Sequence, residues 1–129
     1  MARRTVSDGS SFEQLAGYAR AVRIGLHVAV SGTAALSDGV VLHPGDAYSQ
    51  TREALERALA AAAELGAVAA DVIRSRLLLV EDCDWRGAVR AHGEFFAGID
   101  PANTTYYVAG FIPEGVLVEV ELDAVVQGD

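Results

Sequence analysis

Between Asp46 and Gly66, apolar residues recur at spacings of three and four, with Leu55, Ala58, Leu59, Ala62 and Leu65 forming one stripe. That period predicts an amphipathic helix, opened by Asp46 as N-cap and stopped at Gly66. A second helical pattern follows Asp84, in which Trp85, Ala88, Val89, His92, Phe95 and Phe96 share the spacing. Elsewhere the pattern is that of strands. Residues 19–24 and 27–31 read as two strands joined tightly across Gly25-Leu26, and residues 72–80 as a β-branched, mostly buried strand. Residues 104–109 and 116–126 close the chain as two more strands, separated by a turn with Gly110, Pro113 and Gly115. The predicted order is ββ-α-β-α-ββ, an α+β domain over residues 1–129 with both helices on one face of a mixed sheet.

In the final strand, Val116, Val118, Val120, Leu122 and Ala124 alternate with Leu117, Glu119, Glu121 and Asp123. A period of two sends these sets to opposite faces, so one face is core and the other bears a row of three carboxylates. The plain reading of that row is a solvated sheet face. The sharper one is that a carboxylate lies in a cleft and positions a water or a proton. The pattern leaves both open.

Composition narrows the function classes. With 129 residues, 51% of them hydrophobic and 22% charged, the chain suits one packed domain. A net charge of −8 opposes binding of nucleic acid through a basic surface. All ten cations are arginine, which excludes a lysine Schiff base and a phosphate-loop lysine. The single cysteine, Cys83, has no disulfide partner in the chain, and its neighbours Asp82 and Asp84 disfavour a thiolate. His27 and His43 have no partners at metal-binding spacing, and His92 falls on an apolar helix stripe, so neither a metal nor a cofactor is expected. No stretch nears the roughly 18 apolar residues that span a bilayer, and the polar N-terminus points to a cytoplasmic location.

The motifs also carry a resemblance. Gly17-Tyr18-Ala19-Arg20-Ala21-Val22, then Val30-Ser31-Gly32-Thr33, then Gly45-Asp46-Ala47-Tyr48-Ser49-Gln50-Thr51 occur in the order and spacing of one family. So do the Gly66 to Ile73 step into a strand, the aromatic second helix from Val89 to Phe96, Pro101-Ala102-Asn103-Thr104-Thr105, and Val118-Glu119-Val120-Glu121. Together they resemble the RidA/YjgF family, the reactive intermediate deaminases. That resemblance implies a chorismate-mutase-like subunit and a homotrimer, with the sheets as an inner barrel, the helices outside, and a small-metabolite cleft between neighbouring subunits.

Site residues follow from the resemblance. It implies that Glu119 orients an attacking water, that Tyr18 lines the pocket, and that Ser31, Gly32 and Thr105 complete it, with Glu121 and Asp123 as bystanders. Two positions depart from the family: Asn103 stands where an arginine grips the substrate carboxylate, and Val89 where many relatives have asparagine. An amide keeps hydrogen-bond donors but loses the charge-assisted pair, so a less acidic, more hydrophobic ligand is expected. Arg20, two residues beyond Tyr18 on the same strand face, either turns in to restore the cation or goes to solvent or an interface ion pair. Three functions are compatible: an enzyme hydrolysing an enamine, imine or related reactive carbonyl intermediate, a non-catalytic ligand-binding or regulatory trimer, and, least favoured by the −8 charge, an endoribonuclease.

Overall fold

The long helix forms where its period places it, as α2 (Ala47–Glu64). Asp46 Oδ1 accepts from the Ser49 backbone N–H at 3.0 Å, and the run of Ala, Leu, Arg and Glu that follows contains no helix breaker. Gly66 ends it with φ +90°, while Ala67 N–H donates to Ala62 O and Gly66 N–H to Ala63 O, each at 3.0 Å. Arg23 Nη1 adds a hydrogen bond to the last free carbonyl, Leu65 O, at 2.6 Å. Helix α3 (Trp85–Phe96) starts in the same manner, with Gly87 N–H donating to Asp84 Oδ1 at 3.0 Å.

This computed structural model describes residues 2–127. The strands are β1 (Arg3–Val6), β2 (Ala21–Ile24), β3 (His27–Thr33), the two-residue β4 (Leu36–Ser37) and β5 (Val40–Val41), then β6 (Val72–Val80), β7 (Ala102–Val108) and β8 (Val118–Val125). Six of them form one sheet in the order β1-β2-β3-β8-β6-β7, in which only β6 and β7 run parallel, joined through α3. α2 packs on β3 and β8 and α3 packs beside α2, so both long helices cover one face. The expected α+β architecture is the one found. Leu55, Leu77, Leu79, Val118, Val120 and Leu122 fill the core between helices and sheet, each at most 1% exposed.

Several elements were not expected from the sequence, the two-residue strands β4 and β5 among them. β1 carries Arg3, Arg4 and Thr5 exposed and has no apolar alternation, because it is an edge strand held by backbone pairing to β2. The short helix α1 (Ser11–Ala16) buries only Glu13, so it has no apolar stripe; its trace in the sequence is the Ser10-x-x-Glu13 spacing, with Glu13 N–H donating to Ser10 Oγ at 3.2 Å. Two apolar expectations also need correction. Trp85, expected in helix core, is 42% exposed under the guanidinium of Arg86, and Ile73, placed in a buried strand, is half exposed at a bulge between β6 and β8. The latter position falls where the strand register shifts, and there the alternation of faces fails.

One buried polar side chain ties α2 to the loops around it. Gln50, 0% exposed, accepts from Leu117 N–H at 2.8 Å and donates to His43 O and Gly115 O at 3.3 and 3.2 Å. Gln50→Leu conserves volume but strands these backbone groups, and is expected to lower unfolding free energy by about 2 kcal/mol in chemical denaturation.

Candidate functional site

β8 sends Glu119, Glu121 and Asp123 to the face without helices, the open face. Glu121 and Asp123 are ion-paired there to Arg76 Nη1 of β6, at 3.4 and 3.5 Å, and His27 Nε2 lies 3.4 Å from Asp123. Glu119 stands apart from this network, and among the described residues no donor holds its carboxylate in a hydrogen bond. Its position is made possible by β3. Val30 pairs with Leu122 and Thr33 with Val120, so Ser31 and Gly32 form an irregular step in that strand. A Cβ on Gly32 would lie 2.5 Å from Glu119 Oε1, so the carboxylate occupies space that only glycine leaves free.

Burial raises the Glu119 pKa above the ordinary 4.5, the Arg20 guanidinium pulls it back, and Glu121 pushes it further up. A half-buried carboxylate with a raised pKa and no donor of its own can take a proton from water. Gly32→Ala is expected to displace this carboxylate at little cost in stability, since its flexible end yields and Gly32 has no left-handed φ. Any activity that depends on the Glu119 carboxylate should fall about tenfold or more while the thermal midpoint barely moves; a variant unchanged in such an activity would separate Gly32 from the site.

Arg20 turns inward. Its side chain is 17% exposed, with Nη1 donating to Gly32 O at 2.9 Å and to Thr33 Oγ1 at 3.4 Å. Nε points toward Glu13 Oε2, 3.5 Å away, a carboxylate of α1 that is itself 3% exposed and accepts from Ser7 Oγ at 2.8 Å. Buried Nε has no acceptor in hydrogen-bond geometry, so this is a charge contact. The guanidinium also lies 5.6 Å from the centroid of the Tyr18 ring. Ser31 completes this wall, with its hydroxyl donating to Ala19 O at 2.6 Å. Tyr18, Arg20, Ser31, Gly32 and Glu119 are thus brought together.

Asn103 and Thr105 lie on the other side of the sheet. In the parallel register Asn103 faces Ser75 and Thr105 faces Leu77, both on the helix side, whereas Glu119 aligns with Leu78 and Tyr106 on the open face. Asn103 Nδ2 donates to Ser75 Oγ at 3.0 Å and to Ser75 O at 3.4 Å, and Thr105 Oγ1 donates to Asn103 Oδ1 at 2.8 Å. With the amide donating to it, the Ser75 hydroxyl is left to donate to His92 Nε2, 2.7 Å away. Burial lowers the His92 pKa from the ordinary 6.5, which disfavours the charged ring. His92 also packs on Phe96 with centroids 4.8 Å apart, and Val89, one turn earlier on α3, is 42% exposed.

The residues singled out from the sequence therefore form two sets on opposite faces of one chain. Sequence reasoning missed Glu13, whose signal was the capping spacing, and Ser75, whose signal was a polar residue in the buried alternation with Leu77 and Leu79. Cys83 plays no part: burial first, then Asp84, raises its pKa. Among the described residues no cluster of histidine, cysteine or carboxylates could hold a metal ion, and no helix is long and apolar enough to cross a membrane.

Known proteins share this architecture. The sequence pattern of the family described as Endoribonuclease L-PSP matches residues 9–126. The uncharacterized protein SCO2049 of Streptomyces coelicolor is 42% identical over 121 residues, which cover 94% of this chain and 90% of that one. Escherichia coli TdcF, solved with bound serine, shares the fold at a TM-score of 0.77 and 23% identity, over 96% of this chain and 94% of its own. Rv2704 of Mycobacterium tuberculosis, a member of the YjgF/YER057c/UK114 family, is 41% identical and superposes with a TM-score of 0.87 over 97% of this chain and 100% of that one. With the family pattern running through both long helices and every strand of the six-stranded sheet except the edge strand β1, and with close kinship to Rv2704 throughout, the chain belongs to the YjgF/YER057c/UK114 family.

Proposed function

We propose that this protein hydrolyses a small imine or enamine in a cleft completed between copies of the chain, with Glu119 orienting the attacking water. The observation that carries this reading is the Glu119 carboxylate, lodged over Gly32, half buried and free of the ion pairs that occupy Glu121 and Asp123. Its raised pKa suits a group that takes a proton from water and returns it to a leaving nitrogen. The serine bound to TdcF supports a small metabolite as ligand.

Completion between copies is supported by the division of the site. Tyr18, Arg20, Ser31, Gly32 and Glu119 lie on one wall, and Val89, Asn103 and Thr105 on the far side of the sheet, so a second copy is needed to bring one set against the other. The open face is suited to contact: beside its carboxylates it carries Ile24 and Tyr106, 46% and 43% exposed. We assign a homotrimer to this arrangement, with three equivalent clefts. Sedimentation should give the mass of three 13.5 kDa chains, and a monomer would undo the cleft.

Hydrolysis is tested by generating imines enzymatically in the presence of the protein and following carbonyl release. Release faster than buffer alone is expected, and release at the buffer rate for every imine would leave the non-catalytic, ligand-binding reading in its place. That second reading has one specific support: the Asn103 amide is bonded to Ser75 and Thr105 and is not free to take the place of a ligand-gripping arginine.

A further inference from the structure

We propose that the cleft selects imines that carry no carboxylate and takes them as iminium cations, with Glu119 as counter-ion; this rests on the reading of Glu119 as the working carboxylate. The argument is an inventory of charge. Among the described residues the Glu119 wall has one cation, Arg20, and two carboxylates, Glu119 and Glu13, with Glu121 next along β8 adding further negative charge. Arg20 is committed before any ligand arrives, with Nε turned to Glu13 and Nη1 bonded to Gly32 O and Thr33 Oγ1. A ligand carboxylate would meet Glu119 with no free guanidinium to answer it.

Among the described residues assigned to the opposite wall none is a cation, and the arginines of α3 beside Val89 are turned to other partners, Arg86 over the Trp85 ring and Arg90 over Tyr48 and toward Glu94. Asn103 has its nitrogen on Ser75 and its oxygen on Thr105, burial disfavours the charged form of His92, and Val89 is apolar. The nearest further cation of the open face, Arg76, is shared between Glu121 and Asp123. A net charge of −8 adds a field that concentrates cations and repels anions. An iminium nitrogen, by contrast, finds a carboxylate without a donor partner, in a site where burial strengthens the pair.

The reaction balances without a co-reactant other than water. Water oxygen bonds to the iminium carbon as the C=N π pair moves to nitrogen, and the water proton passes to Glu119, giving a neutral carbinolamine. Glu119 then protonates that nitrogen, the C–N bond breaks as an oxygen lone pair forms C=O, and the hydroxyl proton leaves with ammonia as ammonium. Glu119 ends ionised, as it began, and the products are a carbonyl compound and ammonium.

The experiment has a binding arm and a turnover arm, both on the full chain. Titration calorimetry with 3-methylbutylammonium and with 3-methylbutanoate compares one carbon skeleton carrying opposite charges. The ammonium is expected to bind about tenfold tighter or more, a preference that Glu119→Gln removes. Equal binding, tighter binding of the carboxylate, or binding of neither overturns the proposal. In the turnover arm, the imine from an amine oxidase acting on 3-methylbutylamine is set against that from an amino acid oxidase acting on leucine. The first should be hydrolysed about tenfold faster, and Asn103→Arg should shift the preference toward the second; faster hydrolysis of the leucine imine by the parent protein also overturns it. Tighter ammonium binding with no turnover of either imine would remove hydrolysis and leave the charge selection standing.

Discussion

Glu119→Gln is expected to lower imine hydrolysis by about 10²–10⁴-fold, the usual contribution of a positioned general base. Glutamine keeps the size of the side chain and its place over Gly32, so the fold and the cleft remain while the base is lost. Stability gives an independent readout of the same group. The folded-state pKa of Glu119 is raised by burial, so its contribution is fully present below the unfolded value near 4.5 and is lost as pH rises through the folded value. Removing the ionisable group removes that loss. The glutamine variant should therefore match the parent near pH 4 and be the more stable at pH 7 and above, measured by thermal unfolding across that range. A variant that hydrolyses imines like the parent would place the base elsewhere.

How much of this was readable in advance differs by element. The alternation of β8 correctly separated Val118, Val120, Leu122 and Ala124, all at most 1% exposed, from the carboxylates, because a strand with one covered face must repeat every two residues. It could not distinguish Glu119 from Glu121 and Asp123. That difference depends on Arg76 lying opposite the latter two across β6 and on the irregular step in β3, both of which are contacts between segments distant in sequence. Helix α2 was legible from spacing and caps, whereas Trp85 was misread because helical spacing assigns a residue to a stripe without saying what covers it. Asn103 was recognised as a departure, but its bonds to Ser75 and Thr105, and the side of the sheet it occupies, came only from the parallel register of β6 and β7. For Arg20 the sequence left an inward and an outward course open. The side chain does turn in, but to a carboxylate of its own chain in α1, a helix whose lack of an apolar stripe hid that partner, and not as a cation held free for a ligand.

The commitment of Arg20 has a measurable consequence. Arg20→Leu would leave Glu13, 3% exposed, without its cation, and Gly32 O and Thr33 Oγ1 without their donor. Breaking a buried pair from one side strands a charge that water reaches poorly, and the expected loss is roughly 3 kcal/mol in chemical denaturation, at the lower end of such effects because Arg20 keeps some solvent contact. Glu13→Gln in the same background should restore part of it, since a neutral amide in that place no longer needs a counter-ion; the double-mutant cycle then isolates the pair. A guanidinium held free for a ligand behaves in the opposite way: its removal relieves an unpaired buried charge, and stability stays level or rises. A neutral or stabilising Arg20→Leu would thus return a free cation to the Glu119 wall, and carboxylate-bearing imines would again be fitting substrates. A loss recovered by Glu13→Gln leaves the wall with Glu119 as its only unanswered charge.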